Sequence, residues 1–257
     1  MIEVKNLIKS FEDKIVLKDI SMVFDAGKTN LIIGRSGSGK TVLMKNLIGL
    51  TTPDSGKILY NNRNLTAMGK KELKLLRREM GMLFQGSALF DSMTVLENVI
   101  FPLTMFTKDS YKERYTRAMF CLERVNLKDA EHLYPAEISG GMMKRAGIAR
   151  AIALNPKYLF CDEPNSGLDP KTALIIDDLI SDITKEYRMT TVINTHDMNS
   201  VMNIGEKIVF IKQGEKAWEG TKDEIMYTNN PDLNDFVFAS DLFKKVRDVG
   251  NSVEQEG

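Results

Sequence analysis

The stretch GRSGSGKT, residues Gly34 to Thr41, decides the fold of this chain. It matches the pattern GxxxxGK[ST] in full. Apolar residues before it predict a buried strand at Thr29–Ile33, and the pattern after it predicts a helix from Val42 to Leu50. A glycine-rich loop between a strand and a helix directs backbone N–H groups and the positive end of the helix dipole toward an anion. The stretch therefore predicts a phosphate-binding loop.

Composition bounds the class of protein. The chain has 257 residues, of which 43% are apolar and 27% charged, as in globular proteins of one large or two small domains. Lys plus Arg and Asp plus Glu both number 35, so no global positive field is available for nucleic acid, and we expect no nucleic-acid partner. The cysteines, Cys121 and Cys161, lie among apolar residues without metal-site spacing, which predicts reduced core thiols.

The N-terminus predicts a cytoplasmic protein. It lacks the apolar core of a signal peptide, and no apolar run reaches the ~18 residues of a membrane span. Any role at a membrane would then depend on a membrane-embedded partner.

Strand and helix patterns alternate along the chain, which predicts an α/β fold with a parallel sheet. The alternating segment from Ile2 to Phe24 predicts short antiparallel strands ahead of this sheet. A mostly helical block from Lys70 to Asn155 interrupts the alternation and predicts an inserted subdomain at about residues 86–155. The further predicted elements are strands at Lys57–Tyr60, Tyr158–Cys161, Thr190–Asn194 and Lys207–Ile211, a helix at Thr172–Tyr187, a capping box at Thr221 and Glu224, and a last amphipathic helix carrying Leu233, Phe236, Val237, Leu242, Phe243 and Val246.

Four residues carry the chemistry that a phosphate-binding loop requires. Lys40 can bridge β- and γ-phosphates, and the Thr41 hydroxyl can ligate Mg²⁺. Asp162 ends a predicted buried strand and can hold Mg²⁺ directly or through water. Glu163 follows it and is then free to polarise an attacking water as a general base. Alone, acids after a strand are common in loops; beside a phosphate loop they predict nucleotide hydrolysis.

Two further polar residues also follow strand-like runs. His196 follows Thr190–Asn194 and can donate a hydrogen bond to γ-phosphate, although a lone histidine is more often structural. Gln85 follows Met82-Leu83-Phe84, and its amide can reach Mg²⁺ or the attacking water. Neither residue is evidence of catalysis by itself.

In this order, these features resemble the nucleotide-binding subunit of ABC transporters. The resemblance implies a P-loop NTPase with a RecA-like parallel-sheet core, an antiparallel β subdomain and an inserted α-helical subdomain, binding ATP and Mg²⁺. It also implies one ATPase domain over residues 1–228, followed by a C-terminal helix and flexible tail at 229–257. The matching elements are Walker A with Gly34, Arg35, Ser36, Gly37, Ser38, Gly39, Lys40 and Thr41, the Q-loop Gln85, the signature Ile138-Ser139-Gly140-Gly141-Met142, Walker B ending at Asp162 and Glu163, the D-loop Ser166-Gly167-Leu168-Asp169, the switch His196, and Phe11 where the family stacks an aromatic ring on adenine.

The resemblance gives the signature a role. In this family two subunits face head to tail, so that Ser139, Gly140 and Gly141 would contact the γ-phosphate held by a second copy of the chain. It further implies Mg²⁺ ligation by Thr41, Gln85 and Asp162, and catalytic roles for Lys40, Gln85, Glu163 and His196. It also implies a membrane permease that holds the subunit at the cytoplasmic face of the inner membrane.

A finer resemblance concerns the cargo. The segment from Met80 to Val95, the following Glu97-Asn98-Val99 and Met142 are similar to the ATPases of Mce-associated phospholipid transport systems of the Mla, or maintenance-of-lipid-asymmetry, type. The segments Asp162–Pro170 and Asn194–Asp197 resemble the form of that ATPase found in Bacteroidota. An Mce-domain lipid-binding protein is then an expected partner. An ABC ATPase for an amino acid, a metal or a lipoprotein stays open as an alternative, as does a soluble ABC regulator without a membrane partner.

Overall fold

The computed structural model describes residues 1–238 of the chain. Strands and helices alternate along it, as the sequence predicted. The strands are β1 (Ile2–Phe11), β2 (Lys14–Phe24), β3 (Thr29–Ile33), β4 (Ser55–Tyr60), β5 (Arg63–Asn64), β6 (Met80–Leu83), β7 (Tyr158–Asp162), β8 (Thr190–Thr195), β9 (Lys207–Lys212) and β10 (Glu215–Gly220). The α-helices are α1 (Lys40–Leu47), α2 (Lys70–Arg78), α3 (Val95–Phe106), α4 (Tyr111–Arg124), α5 (Gly140–Ile152), α6 (Pro170–Tyr187), α7 (Met198–Ile204), α8 (Lys222–Ile225) and α9 (Pro231–Val237).

The central sheet has six strands in the order β10-β9-β3-β8-β7-β6. Five of them are parallel, and β10 pairs antiparallel with β9 at one edge. Because parallel strands end at the same side of a sheet, the loops after β3, β6, β7 and β8 lie along one edge. The predicted phosphate loop, Gln85, Glu163 and His196 belong to these loops, and Asp162 is the last residue of β7.

Neighbouring residues of the central strands face two different cores. In β3, Leu31 and Ile33 pack on the helical side, whereas Ile32 packs toward the antiparallel sheet. Strand β7 repeats the pattern, with Leu159 on the first side and Phe160 on the second. Successive side chains of a strand point to opposite faces, so a sheet covered on both faces needs unbroken apolar strands. This is why the central strands lack polar alternation.

The second sheet is antiparallel, in the order β2-β1-β4-β5. The sequence predicted short strands here, and that prediction was wrong, because β1 and β2 extend over 10 and 11 residues. The pairing of β1 with β2 contains irregularities such as bulges, which bend a strand and increase its local twist. One of them lies between Val4 and Leu7, where the register shifts and Asn6 has a φ of 47°. Gly56 lies outside the predicted strand Lys57–Tyr60 but belongs to β4, and a Cβ there would lie 2.4 Å from the Asn6 carbonyl oxygen. This glycine therefore permits close strand pairing.

Helices α3, α4 and α5 form the inserted helical part, between β6 and β7. Strand β6 itself interrupts the block that was predicted to be mostly helical. Helix α5 approaches β6 closely, because a Cβ at Gly81 would lie 2.4 Å from the Ala151 carbonyl oxygen, and one at Gly147 would lie 2.7 Å from Leu83. The predicted α/β class, with a parallel core, an antiparallel β part and inserted helices, is confirmed.

Several element boundaries differ from the prediction. Helix α1 begins at Lys40 and not at Val42, since the phosphate loop runs directly into the first helical turn. Strand β10 and helix α7 were not predicted, because the Glu215–Gly220 segment is polar and α7 is short. The capping box at Thr221 and Glu224 is confirmed. Of the last predicted helix, the structure describes Pro231–Val237, while Leu242, Phe243 and Val246 lie outside the described residues.

Within residues 1–238, no helix is both long and apolar enough to span a membrane.

A buried carboxylate joins α6 to α7. Asp177 is 1% exposed, and its Oδ1 accepts a hydrogen bond from Asn165 Nδ2 at 2.8 Å, while the same Nδ2 also donates to Ser200 Oγ at 2.9 Å. Burial is the main cause that raises the pKa of Asp177 to about 6; the nearby Asp197 and Asp178 act in the same direction, whereas hydrogen bonds from Ser200 and Asn165 act against it. Ionisation of Asp177 therefore destabilises the folded state.

We expect Asp177→Asn to stabilise the fold increasingly as the pH rises. The folded state keeps the Asp177 proton up to a pKa of about 6, while the unfolded chain releases it near 3.8, so ionisation removes stability over that window and not above it. From pH 5 to pH 7.5, the advantage of the variant in unfolding free energy should grow by about 1 kcal/mol. Urea unfolding at both values measures it, and a difference independent of pH would contradict the assignment.

Candidate functional site

A cleft of 1160 Å³ opens along the carboxyl edge of the central sheet. The loops after β3, β6, β7 and β8 form most of its wall, and α9 contributes one end through Asp235, Phe236 and Val237. The cleft brings together most of the residues that the sequence predicted for nucleotide binding. These are Arg35, Ser36, Gly37, Gly39, Lys40, Thr41, Gln85, Glu163 and His196.

The phosphate loop needs glycine at positions that no other residue tolerates. Gly34 has a φ of 149°, and a Cβ there would lie 2.3 Å from the Ile211 carbonyl oxygen. Gly39 adopts a φ of 109° directly before the first residue of α1. Ser38 is buried in the same loop, and its Oγ has no hydrogen-bond partner within the described residues. Such an orphaned hydroxyl, inside a ring of backbone N–H groups, fits a phosphate oxygen.

Lys40 is buried beneath the loop. Its Nζ donates hydrogen bonds to the Gly34 and Arg35 carbonyl oxygens, at 2.7 and 3.2 Å. Burial lowers the pKa of Lys40, while the carboxylates of Glu163 and Asp162 act in the opposite direction. The ammonium therefore stabilises the curl of the loop and lies where a bound phosphate chain would need a positive charge.

Asp162 and Thr41 lie on either side of Asn194. The Asn194 Nδ2 donates to Asp162 Oδ1 at 2.7 Å and to Thr41 Oγ1 at 3.5 Å, and Asn194 Oδ1 is buried without a hydrogen-bond partner in the described part of the chain. No group of three or more His, Cys, Asp or Glu that could hold a metal occurs in residues 1–238. One carboxylate with one hydroxyl still fits Mg²⁺, which keeps several waters and takes further ligands from substrate phosphates. The oxygen donors present thus fit the predicted Mg²⁺ site.

Glu163 and His196 form a hydrogen-bonding contact in the cleft. His196 Nδ1 lies 2.8 Å from Glu163 Oε2 and 2.9 Å from Oε1. Glu163 has a φ of 48°, a left-handed conformation that is unfavourable for a side chain of this kind. Its N–H donates to the Asn194 carbonyl oxygen at 2.8 Å, and its carbonyl accepts from Ser166 N at 3.1 Å. These bonds hold the strained backbone and aim the carboxylate into the cleft.

Gln85 reaches across the cleft to the loop that follows Glu163. Its Nε2 donates to Ser166 Oγ at 3.2 Å. The backbone carbonyl oxygen of Gln85 accepts a hydrogen bond from Lys144 Nζ of α5. The sequence assigned no role to Lys144, Asn165 or Asn194. A usable signal for Asn194 was its position two residues before His196, at the end of a predicted strand, whereas nothing in the sequence marked Lys144.

Phe11, the predicted adenine contact, lies outside the cleft that contains most of the other predicted site residues. Phe11 ends β1, is 46% exposed, and lies under the Lys9 ammonium, whose nitrogen is 5.2 Å from the ring centroid. It does not line the cleft; Val16 of β2 does. Stacking of Phe11 on adenine stays a prediction.

The signature residues do not line this cleft either. Ser139 is the N-cap of α5, and its Oγ accepts from Met142 N at 3.3 Å. Ser139 and Gly140 are exposed, so their donors face outward. Gly141 packs against α6, since a Cβ there would lie 2.7 Å from Thr172 Cγ2. The signature thus lies apart from the cleft of its own chain, and its contact with a phosphate bound by a second copy stays a prediction.

Sequence comparison identifies relatives over nearly the whole chain. The family model described as ABC transporter matches residues 17–166. The probable ribonucleotide transport ATP-binding protein mkl of Mycobacterium leprae is 36% identical over 99% of this chain and 72% of its own length. The methionine import ATP-binding protein MetN of Campylobacter jejuni is 36% identical over 94% of this chain and 77% of its own.

Solved structures agree with this relationship. The dimeric cassette MJ0796, in a post-hydrolysis state bound to ADP and Pi, superposes with a TM-score of 0.78 at 33% identity, over 86% of this chain and 99% of that one. The cbiO1 protein of Clostridium perfringens, part of the ABC transporter complex cbiONQ, gives 0.82 at 29% identity, over 89% of this chain and 91% of its own. By fold, by cleft geometry and by sequence, this chain belongs to the ABC transporter family, as an ATP-binding subunit.

Proposed function

We propose that this chain hydrolyses ATP as one half of a head-to-tail dimer and drives phospholipid transport through a membrane permease. One observation carries the hydrolytic part: Lys40, Thr41 and Glu163 line one cleft at the sheet edge, and Asn194 contacts both Thr41 and Asp162, the last residue of β7. These groups supply a cation for the phosphates, ligands for a metal and a base for water. A cleft that only bound nucleotide would not need the base.

ATP binding would use the loop that the structure preorganises. Its β- and γ-phosphates would replace the Gly34 and Arg35 carbonyls as acceptors of the Lys40 ammonium. The Ser38 hydroxyl, the N–H groups of Arg35, Ser36 and Gly37, and the start of α1 would complete the cradle. We assign adenine stacking to Phe11, beside the Val16 wall of the cleft.

Metal binding would use the two oxygen donors that Asn194 joins. Thr41 and Asp162 would hold Mg²⁺ together with phosphate oxygens, and Gln85 would approach from the far wall. When bound, Mg²⁺ would offset the negative charge of the phosphate chain. The Asn194 amide keeps the Asp162 carboxylate turned toward Thr41 until then.

Glu163 would act as the general base. Its side chain is 16% exposed and its carboxylate points into the cleft, where it can polarise a water that attacks the γ-phosphate. His196 now holds this carboxylate, and on ATP binding it would also donate to γ-phosphate. The pair would thereby link the base to the presence of the phosphate.

The second anion site explains why a dimer is proposed. Ser139 and Gly140 are exposed at the start of a 13-residue helix, on a part of the chain that its own cleft does not include. Such a helix start favours an anion, and the γ-phosphate bound by a second copy supplies one. The related cassette MJ0796 is described as dimeric with ADP and Pi bound, which supports the same arrangement here.

The cargo is inferred from sequence features. The segments from Met80 to Val95 and Glu97-Asn98-Val99, together with Met142, resemble Mce-associated phospholipid transport ATPases, so we propose an Mce-domain protein and a permease as partners. The chain would then lie at the cytoplasmic face of the inner membrane, without a nucleic-acid partner. The 36% identity to the methionine import protein favours a second candidate, an amino-acid importer. In both cases the cassette would perform the same reaction.

Glu163→Gln should abolish turnover and preserve ATP binding. The amide keeps the shape of the carboxylate but cannot accept the proton of water, so kcat should fall by about 10²–10⁴-fold. Steady-state phosphate release and nucleotide titration measure the two effects. Glu123→Gln, an exposed glutamate on α4, is the matched control and should behave as wild type. Hydrolysis by Glu163→Gln within tenfold of wild type would refute the general-base role.

Ser139→Arg should prevent ATP-dependent dimerisation while each chain still binds ATP. Ser110 is the matched control, because it caps α4 as Ser139 caps α5, and Ser110→Arg loses the same kind of cap. Both variants should lose about 1 kcal/mol of stability. Light scattering in a Glu163→Gln background should show dimers for the Ser110 variant and monomers for the Ser139 variant. Equal dimerisation, or full-rate hydrolysis by dilute monomers, would refute the shared site.

Purification of the assembled complex tests the cargo. A tag on this chain in its native host should recover an integral-membrane permease, an Mce-domain protein and bound phospholipid, identified by mass spectrometry. A solute-binding protein in place of the Mce-domain protein would contradict phospholipid transport and support the importer.

A further inference from the structure

Two basic side chains of helix α5 donate hydrogen bonds to the loop that follows β6. Lys144 Nζ donates to the carbonyl oxygen of Gln85 and reaches that of Glu163 at 3.5 Å. Six residues further along the helix, Arg150 donates to the carbonyls of Ser87 and Ala88, at 2.5 and 2.6 Å. The helix whose first turn carries the signature serine is thus bonded to the loop of the chain's own nucleotide cleft.

The loop after β6 has a conformation that depends on contacts with its neighbours. Ser87 and Ala88 have φ values of 60° and 47°, and two successive left-handed residues with side chains are unfavourable. Arg150 bonds to both of their carbonyls, and Gly147 leaves room beside Ser87, where an added Cβ would lie 3.5 Å from Ser87 Cβ. The loop geometry therefore depends on α5.

Lys144 is an unusual side chain for such a contact. It is 4% exposed, and both hydrogen bonds that it makes within residues 1–238 go to backbone carbonyls. Burial lowers the pKa of Lys144, while Cys161, Glu163 and Asp162 act in the opposite direction. An ammonium buried without a contacting carboxylate destabilises the fold, and a packed apolar side chain of similar length would avoid this cost. Its carbonyl contacts therefore point to a role beyond packing.

We propose that Lys144 is a positioning residue that holds Gln85 and Glu163 in register with helix α5. The Lys144 ammonium contacts the carbonyl oxygens of Gln85, which would approach the metal, and of Glu163, which would activate water. Lys144 belongs to the helix whose N-cap is Ser139. Any displacement of α5 that accompanies engagement of the signature would then shift both groups together. This inference rests on the proposed ATP hydrolysis, and it adds the group by which one chain relates its two anion sites.

The test compares side chains of similar length at position 144. Lys144→Met keeps the apolar stem and removes the donors, and we expect kcat to fall by about 10²-fold, as for a misplacement of catalytic groups by about 1 Å. ATP affinity, measured by titration, should stay within about threefold of wild type, since Lys144 does not line the cleft. Lys144→Gln supplies two N–H donors without the charge and should recover most of the lost kcat.

Lys112→Met, an exposed lysine on α4, is the matched control and should leave kcat and stability unchanged. A second readout needs no turnover: amide hydrogen exchange in the peptide covering residues 84–90 should accelerate at least tenfold in Lys144→Met, with exchange in β3 unchanged. This readout also remains decisive if the kinetic comparison is limited by stability.

The outcomes separate the two proposals. An inactive wild type would refute the proposed ATPase, while the exchange measurement would still judge Lys144. An active wild type, with Glu163→Gln inactive and Lys144→Met within threefold of wild type, would overturn the positioning role alone. Unchanged exchange in the 84–90 peptide, or a Lys144→Gln variant as slow as Lys144→Met, would overturn it as well.

Discussion

Parallel pairing of β3, β8 and β7 is the constraint on which the site depends. In that register Ile33 pairs with Thr195, and Asp162 pairs with Asn194. The phosphate loop and the two acids therefore leave the sheet side by side, and the bond between Asn194 and Asp162 follows directly from the pairing. A slip of one residue in either strand would reverse the direction of every side chain and bury these polar groups in an apolar core.

Around this edge, strain and buried charge are concentrated in the residues nearest to the cleft. Glu163 is held in a left-handed conformation, Lys40 and Lys144 are buried cations bonded to carbonyls, and Ser38 Oγ has no hydrogen-bond partner among residues 1–238. Each of these features costs stability. The apolar cores on both faces of the sheet offset that cost.

Much of this fold could be predicted, because strong local signals coincide with tertiary structure in the central strands. Apolar runs such as Thr29–Ile33 are strands in either description, and the glycines after Ile33 demand a phosphate loop. Prediction failed where a residue serves a contact distant in sequence. Gly56 lies outside the predicted strand Lys57–Tyr60, but it belongs to β4 and permits the close approach of β1. The polar segment β10 is a strand because it pairs with β9 at the edge of the sheet. The site residues from β3 and β7 were identifiable by motif, whereas Lys144 and Asn165 had no local mark.

The sequence by itself determined the phosphate loop, the acids at a strand end, the Ser139-Gly140-Gly141 signature and the α/β class, since each depends on the chemistry of adjacent residues. Tertiary structure alone decided that His196 contacts Glu163, that Asn194 joins Asp162 to Thr41, and that Ser139 faces away from the cleft of its own chain. These relations join residues that are tens to more than a hundred positions apart. Sheet register and helix packing set their distances, and no local pattern carries that information.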